Sequence, residues 1–197
     1  RDRLPALFFA GYSMGGNLVL NMAGKLGAAA PPELSGVCGV CPTIELDACV
    51  EALERPGNAL YQRHFVRGLK DRMRRKARLF PGRFSLEGLE ELRTVREFDD
   101  AFTAPHFGFR DAADYYHRSS ACRVLQQIAV PALIITAQDD PVVPFRIFDG
   151  PEVRGNPHIS VLAPERGGHC AVISRFAGWE RFWAEARVVE FCGAAGD

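Results

Sequence analysis

Hydrophobic positions divide the chain into three stretches of different character. In residues 1–42 an apolar run, Leu4 to Ala10, precedes Leu18, Val19, Met22 and Leu26 at helical spacing, and a second apolar run, Leu34 to Val40, follows. Short runs apolar on both faces predict buried parallel strands covered by helices, and the periodic segment between them predicts a helix to about Gly27, closed by Pro31-Pro32. From Thr43 to Gln127 no further buried strand is legible. Tyr61, Phe65, Leu69 and Met73 recur every fourth residue and mark one helical face, and Leu86, Leu89, Leu92 and Val95 mark another, opened by Ser85 as an N-cap after Pro81-Gly82. Residues 128–197 return to the first pattern. Ala132 to Ala137 and His158 to Ala163 read as strands, and Val172, Ile173, Phe176, Trp179, Phe182 and Val189 read as a final amphipathic helix running toward Gly193. The expected architecture is α/β: one domain of about four parallel strands flanked by helices, with 1–42 and 128–197 as its core and 43–127 as a mostly helical cap.

Composition narrows the partners. The 24 basic residues balance the 24 acidic ones, so no global field favours nucleic acid or an anionic membrane. The imbalance is local: Arg63, Arg67, Lys70, Arg72, Arg74, Arg75, Lys76 and Arg78 crowd one helix and its exit. A solvated outer face of a cap helix is the favoured reading, with Glu87, Glu90, Glu91 and Glu97 close enough to neutralise it, and peripheral membrane contact is the alternative. No apolar run approaches the ~18 residues of a membrane span, and no charged-then-apolar leader is present, so a cytoplasmic location is expected. The six cysteines are spread over a chain with enough apolar residues to need no disulfide staples, and they read as buried reduced thiols. Cys38-Gly-Val-Cys41 has redox-motif spacing, but it lies in a strand-like run with no second cysteine pair for a zinc site.

The chemistry begins at Gly11-Tyr12-Ser13-Met14-Gly15, where a Gly-x-Ser-x-Gly pentapeptide joins the first strand to the first helix. In that context the serine occupies the apex of a sharp turn, and a β-carbon at position 11 or 15 is expected to collide with the neighbouring strand or helix. The turn lifts the Ser13 hydroxyl clear of the sheet and aims the Met14 N–H, at the positive end of the helix, toward a developing oxyanion.

Two further groups stand at strand ends. The third strand ends in Asp139-Asp140-Pro141, and the fourth is followed by Gly167-Gly168-His169. Sites of open parallel sheets lie at that edge, and the order Ser, Asp, His accompanies an elbow of this kind. Ser13 is a weak nucleophile that needs His169 to take its proton, and an aspartate must fix the imidazole tautomer. Asp140 is preferred as that acid, because Pro141 and Pro144 make a rigid loop that would aim it, with Asp139 as the alternative. His64, His106, His117 and His158 lack such a setting, and Ser119 and Ser120 read as caps of a helix containing Val124 and Leu125. Neither a metal nor a cofactor is required.

Gly11-Tyr12-Ser13-Met14-Gly15-Gly16-Asn17 resembles the nucleophile elbow of the YheT-like branch of α/β-hydrolases. A longer segment is similar to that family's signature in order and spacing: Phe98-Asp99-Asp100, Thr103-Ala104-Pro105, Gly108-Phe109, Asp114-Tyr115-Tyr116, Ser119-Ser120, Ile128, Pro131 and Asp139-Asp140. Gly167-Gly168-His169 resembles its histidine loop, although Cys170-Ala171 stands where glycine and an aromatic residue are usual. The resemblance implies a carboxylic-ester hydrolase acting on short-chain esters, acylglycerols or phospholipids, with Ser13, an aspartate at 139 or 140, and His169 as the triad.

It also implies that the chain is the C-terminal part of a family member, because it starts without methionine and reaches the elbow within a dozen residues. The second oxyanion donor of an elbow hydrolase lies on a loop after an early strand, which this sequence does not contain; one lost donor costs about a hundredfold to a thousandfold in rate. Leu7 to Ala10 would then form a bare apolar edge. Two classes of function follow: a serine ester hydrolase, or a scaffold of the same fold that binds lipid or a partner without catalysis, including an inactive fragment.

Overall fold

A computed structural model describes residues 6–170, 172–175 and 178–194. Four strands, β1 (Leu7–Tyr12), β2 (Leu34–Val40), β3 (Ala132–Ile135) and β4 (Ile159–Leu162), pair in parallel in the order β1-β2-β3-β4. Helix α1 (Met14–Leu26) supplies the crossover from β1 to β2. A β-carbon at Gly39 would lie 3.0 Å from Leu20 of α1, whereas one at Gly36 would lie 3.0 Å from Phe191 of the helix Trp183–Ala194. Positions 36 and 39 of a strand face opposite ways, so the two helices cover opposite faces of β2. Cys38, Val40, Leu133, Ile135, Val172 and Ala184 fill the space on the second of these faces.

The four strands fall where the apolar runs place them, with the expected fold class. Three details differ. β1 continues through Gly11 to Tyr12, and Leu4 and Pro5 lie outside the described residues. It is, as expected of the partial fold, an edge strand among the described residues, but Leu7, Phe9 and Tyr12 remain 36–44% exposed rather than covered on both faces. The last helix starts only at Trp183: Val172 and Ile173 precede it in an irregular segment, Ile173 bridging to Phe182, and Phe176 lies outside the described residues.

Two compact units make up the chain, residues 1–49 with 119–197, and residues 50–118. Hydrogen bonds draw 43–49 and 119–127 into the first: Cys122 N–H donates to Ile44 O at 3.0 Å, and Leu46 N–H donates to Ser120 Oγ at 2.9 Å. Ser120 therefore serves the start of α2 (Leu46–Glu54), and its side chain does not cap the short turn Ala121–Arg123 that follows it, as the sequence reading expected.

In the second unit, α3 (Ala59–Leu79) carries the basic cluster. Its buried positions are Gln62, Val66 and Lys70, while Tyr61 and Phe65 are exposed, so the buried stripe is displaced by one residue from the apolar one. Polar contacts explain the displacement: Gln62 Oε1 accepts from Val95 N–H at 3.2 Å and Lys70 Nζ donates to Glu90 O at 2.9 Å. Arg74 pairs with Asp71 at 2.6 Å and Glu90 at 2.7 Å, so part of the cluster is neutralised locally. No helix spans Leu86 to Leu92. Ser85 Oγ accepts from Glu87 N–H, but Gly88 at φ 72° turns the chain, and the helix begins at Val95 behind a Thr94/Glu97 capping box. Among the described residues no helix is long and apolar enough to cross a membrane.

Candidate active site

The elbow follows from the register of β1 and β2. Ser13 N–H donates to Val40 O at 2.8 Å, which extends the ladder one residue past β1, and the chain then reverses into α1 with Ser13 at φ 51° and ψ −118°. That conformation is rarely adopted by a non-glycine residue. Tight packing around it enforces the turn: a β-carbon on Gly11 would stand 2.1 Å from Gly15 O, and one on Gly16 would stand 2.7 Å from the Pro42 side chain. Gly15 itself has open space on its Cα, so the collision expected there does not occur, and Gly16 is the second glycine the turn requires. Met14 is the first residue of α1 and its N–H has no intrahelical acceptor, which leaves it aimed outward from the positive helix end beside Ser13.

Beyond β3, the Asp140 carboxylate is fully buried and engaged on both oxygens. Oδ1 accepts from the N–H groups of Val142 at 2.8 Å and Val143 at 3.0 Å, and Oδ2 lies 2.8 Å from His169 Nδ1. The adjacent Asp139 points elsewhere. Its Oδ1 accepts from both Gly167 N–H and Gly168 N–H at 2.8 Å, tying the loop after β4 to the loop after β3. These bonds hold the Asp139 carboxyl below the usual carboxylate range, the Gly168 bond first.

His169 Nε2 lies 2.9 Å from Ser13 Oγ, so the structure brings Ser13, His169 and Asp140 into one hydrogen-bonded line across the strand ends. Burial of His169 disfavours its charged form, but the hydrogen bond and charge of Asp140 outweigh it and hold the imidazole above its ordinary range. With Asp140 accepting at Nδ1, the neutral ring carries its proton there and presents a bare Nε2 to the serine hydroxyl. That arrangement can deprotonate Ser13 as it attacks and return the proton to a leaving group.

Two contributors were given no role from the sequence, although Asn17 stands in the elbow heptapeptide and Cys41 in the Cys38-Gly-Val-Cys41 motif. Asn17, 1% exposed, donates through Nδ2 to Ser119 O at 2.9 Å and accepts at Oδ1 from Ala121 N–H at 2.8 Å, fastening the first turn of α1. Two asparagines, Asn17 and Asn21, one turn apart among the small and apolar residues of α1, were the available signal. The second is Cys41. Among the described residues, the non-glycine residues at positive φ are Ser13, Cys41 (44°) and Cys170 (60°). The partner of Cys41 is Cys170, not Cys38, which points from β2 into the core. Cys170 N–H donates to Cys41 Sγ at 3.3 Å, and Cys41 Sγ lies 3.9 Å from Gly168 O. The contact between the thiols holds Cys41 below the ordinary thiol range and pushes Cys170 above it. One donor atom each from Cys41, His169 and Cys170 lie within 4.8 Å of one another.

A parallel sheet with these three groups at its strand ends is the architecture of the α/β-hydrolase fold. Two solved structures match it: an α/β-fold hydrolase from Bacillus anthracis str. Sterne, with TM-score 0.51 and 14% identity over 97% of this chain and 67% of that one, and 2,6-dihydroxy-pseudo-oxynicotine hydrolase, with TM-score 0.50 and 21% identity over 85% and 35%. At those identities the likeness is one of fold. No family model matches the chain. Among curated proteins it is 34% identical to YheT of Escherichia coli (strain K12), named an esterase, over 92% of this chain and 53% of that protein. It is 32% identical to the mouse phospholipase ABHD3 over 81% of this chain and 39% of that protein. Over most of its length the chain is similar to the YheT-like branch of the α/β-hydrolases. It spans about half the length of YheT and less of ABHD3.

Proposed function

We propose that the protein is a serine hydrolase of carboxylic esters. The observation that carries this reading is the pair of contacts on one imidazole, Nε2 to Ser13 Oγ at 2.9 Å and Nδ1 to Asp140 Oδ2 at 2.8 Å. Ser13 Oγ attacks the acyl carbon while His169 Nε2 accepts the hydroxyl proton, and Asp140 steadies the imidazolium. The Met14 N–H donates to the oxyanion of the tetrahedral intermediate. His169 then protonates the departing alcohol, leaving an acyl ester on Ser13. Water, deprotonated by the same nitrogen, attacks that ester and releases the acid and the free serine. Asp139 positions this base by holding the Gly167-Gly168 loop.

Relatives support the substrate class: besides the names of YheT and mouse ABHD3, a yeast relative 35% identical over 106 residues is named medium-chain fatty acid ethyl ester synthase/esterase 2. Those names support phospholipids and fatty-acid esters as substrates; acylglycerols and short-chain esters are proposed from the family resemblance, and the basic face of α3 would favour an anionic lipid surface. The test is hydrolysis of a chain-length series of p-nitrophenyl esters by the complete protein. Turnover abolished by Ser13→Ala supports the reading. Turnover retained in that variant, or absent from the folded wild-type protein, contradicts it.

A further inference from the structure

We propose that Cys41, Cys170 and His169 form a binding site for a thiophilic divalent cation, Zn2+, and that the bound ion blocks the hydrolase by taking its base. The donors come from two neighbouring strand ends, Cys41 directly after β2 and His169-Cys170 from the loop after β4, with their ligand atoms within 4.8 Å of one another. Around a tetrahedral zinc, with bonds of about 2.0–2.3 Å, such donors stand roughly 3.4–3.8 Å apart. Closing the site therefore needs side-chain movements of no more than about 1 Å.

Two thiols and an imidazole form a soft set that selects zinc over magnesium or calcium. Three protein donors leave the fourth position to water. Outer partners are already in place: Cys170 N–H donates to Cys41 Sγ at 3.3 Å, and Asp140 holds His169. Coordination breaks two S–H bonds, forms two S–Zn bonds and releases two protons to the solvent. Either imidazole nitrogen costs the base its function, since Nε2 faces Ser13 and Nδ1 is the nitrogen held by Asp140. The binding stands on the donor geometry alone; the block rests on the hydrolase reading.

The experiment titrates Co2+ and then Zn2+ into the complete protein reduced with a phosphine. One equivalent of Co2+ should raise thiolate-to-cobalt charge-transfer absorption and tetrahedral visible bands, which Zn2+ abolishes, with two protons released per ion. Cys170→Ser and Cys41→Ser, each checked by thermal melting, should weaken binding at least about tenfold, while Cys122→Ser leaves it unchanged. Zn2+ should suppress fluorophosphonate labelling of Ser13, reversibly by chelator. Absence of the charge-transfer band, or its persistence at wild-type affinity in both folded variants, overturns the site. A band with labelling untouched overturns the block. If the metal-free protein is not labelled at all, the hydrolase reading fails, and the absorption bands still decide the metal site.

Discussion

Asp140 Oδ2 lies 2.8 Å from His169 Nδ1, and the carboxylate that makes this contact is wholly removed from solvent. Its neighbour Asp139 is exposed and spends one oxygen on two amides of the histidine loop. The two acids thus act on the same histidine by different routes, one through the ring and one through the backbone.

Their variants should separate accordingly. Asp140→Asn leaves the ring without its acceptor and should lower kcat by about 10⁴. Asp139→Ala loosens the loop and should cost nearer a hundredfold through misplacement of the base. Steady-state kinetics on one ester measures both, and an Asp139 variant more damaged than the Asp140 variant would reverse the assignment.

The acid side of the pH profile follows from the same contact. His169 works as a base only when neutral, and Asp140 raises its pKa above the ordinary imidazole value of about 6.5. Activity, as kcat/KM, should therefore fall as pH decreases through a midpoint above that value. In Asp140→Asn burial is opposed only by the smaller effect of the Cys41 charge, and the midpoint of the residual activity should move to lower pH. An unchanged midpoint contradicts the electrostatic coupling.

The elbow glycines should differ sharply. A β-carbon at Gly11 meets Gly15 O at 2.1 Å, so Gly11→Ala should destabilise by at least about 1–3 kcal/mol. Gly15 has no atom within 4 Å of such a carbon, and Gly15→Ala should fold as well as the wild type. Urea midpoints for the pair provide the comparison.

Asn17→Ala leaves the buried Ala121 N–H without a partner and Ser119 O with only the longer bond from Asn21 Nδ2 at 3.3 Å, at about 1–3 kcal/mol. Equilibrium denaturation measures this loss. A shift within experimental scatter of zero would show that water replaces the side chain.

The strands and the elbow were legible because parallel strands buried in a sheet read as unbroken apolar runs, and β2 matched its run from Leu34 to Val40. Proximity of Asp140 and His169 to Ser13 also followed from strand order, since each group sits at a strand end. The helical unit was read less well. Gln62 and Lys70 are buried through hydrogen bonds to carbonyl and amide groups far along the chain, which apolar periodicity cannot register. Leu86 to Leu92 had helical spacing, but Gly88 adopts a positive φ and interrupts it, and the helix starts instead behind the Thr94/Glu97 capping box. Cys41 and Cys170 are 129 residues apart, and only the parallel pairing of the strands brings them together.

The most direct test of the proposed chemistry is covalent labelling of the complete, folded protein with a fluorophosphonate, followed by peptide mass mapping. A nucleophile activated by His169 predicts stoichiometric phosphonylation at Ser13, lost in Ser13→Ala and strongly slowed in His169→Ala. Absence of adduct at Ser13, or labelling of comparable rate in His169→Ala, would contradict a serine hydrolase built on these residues.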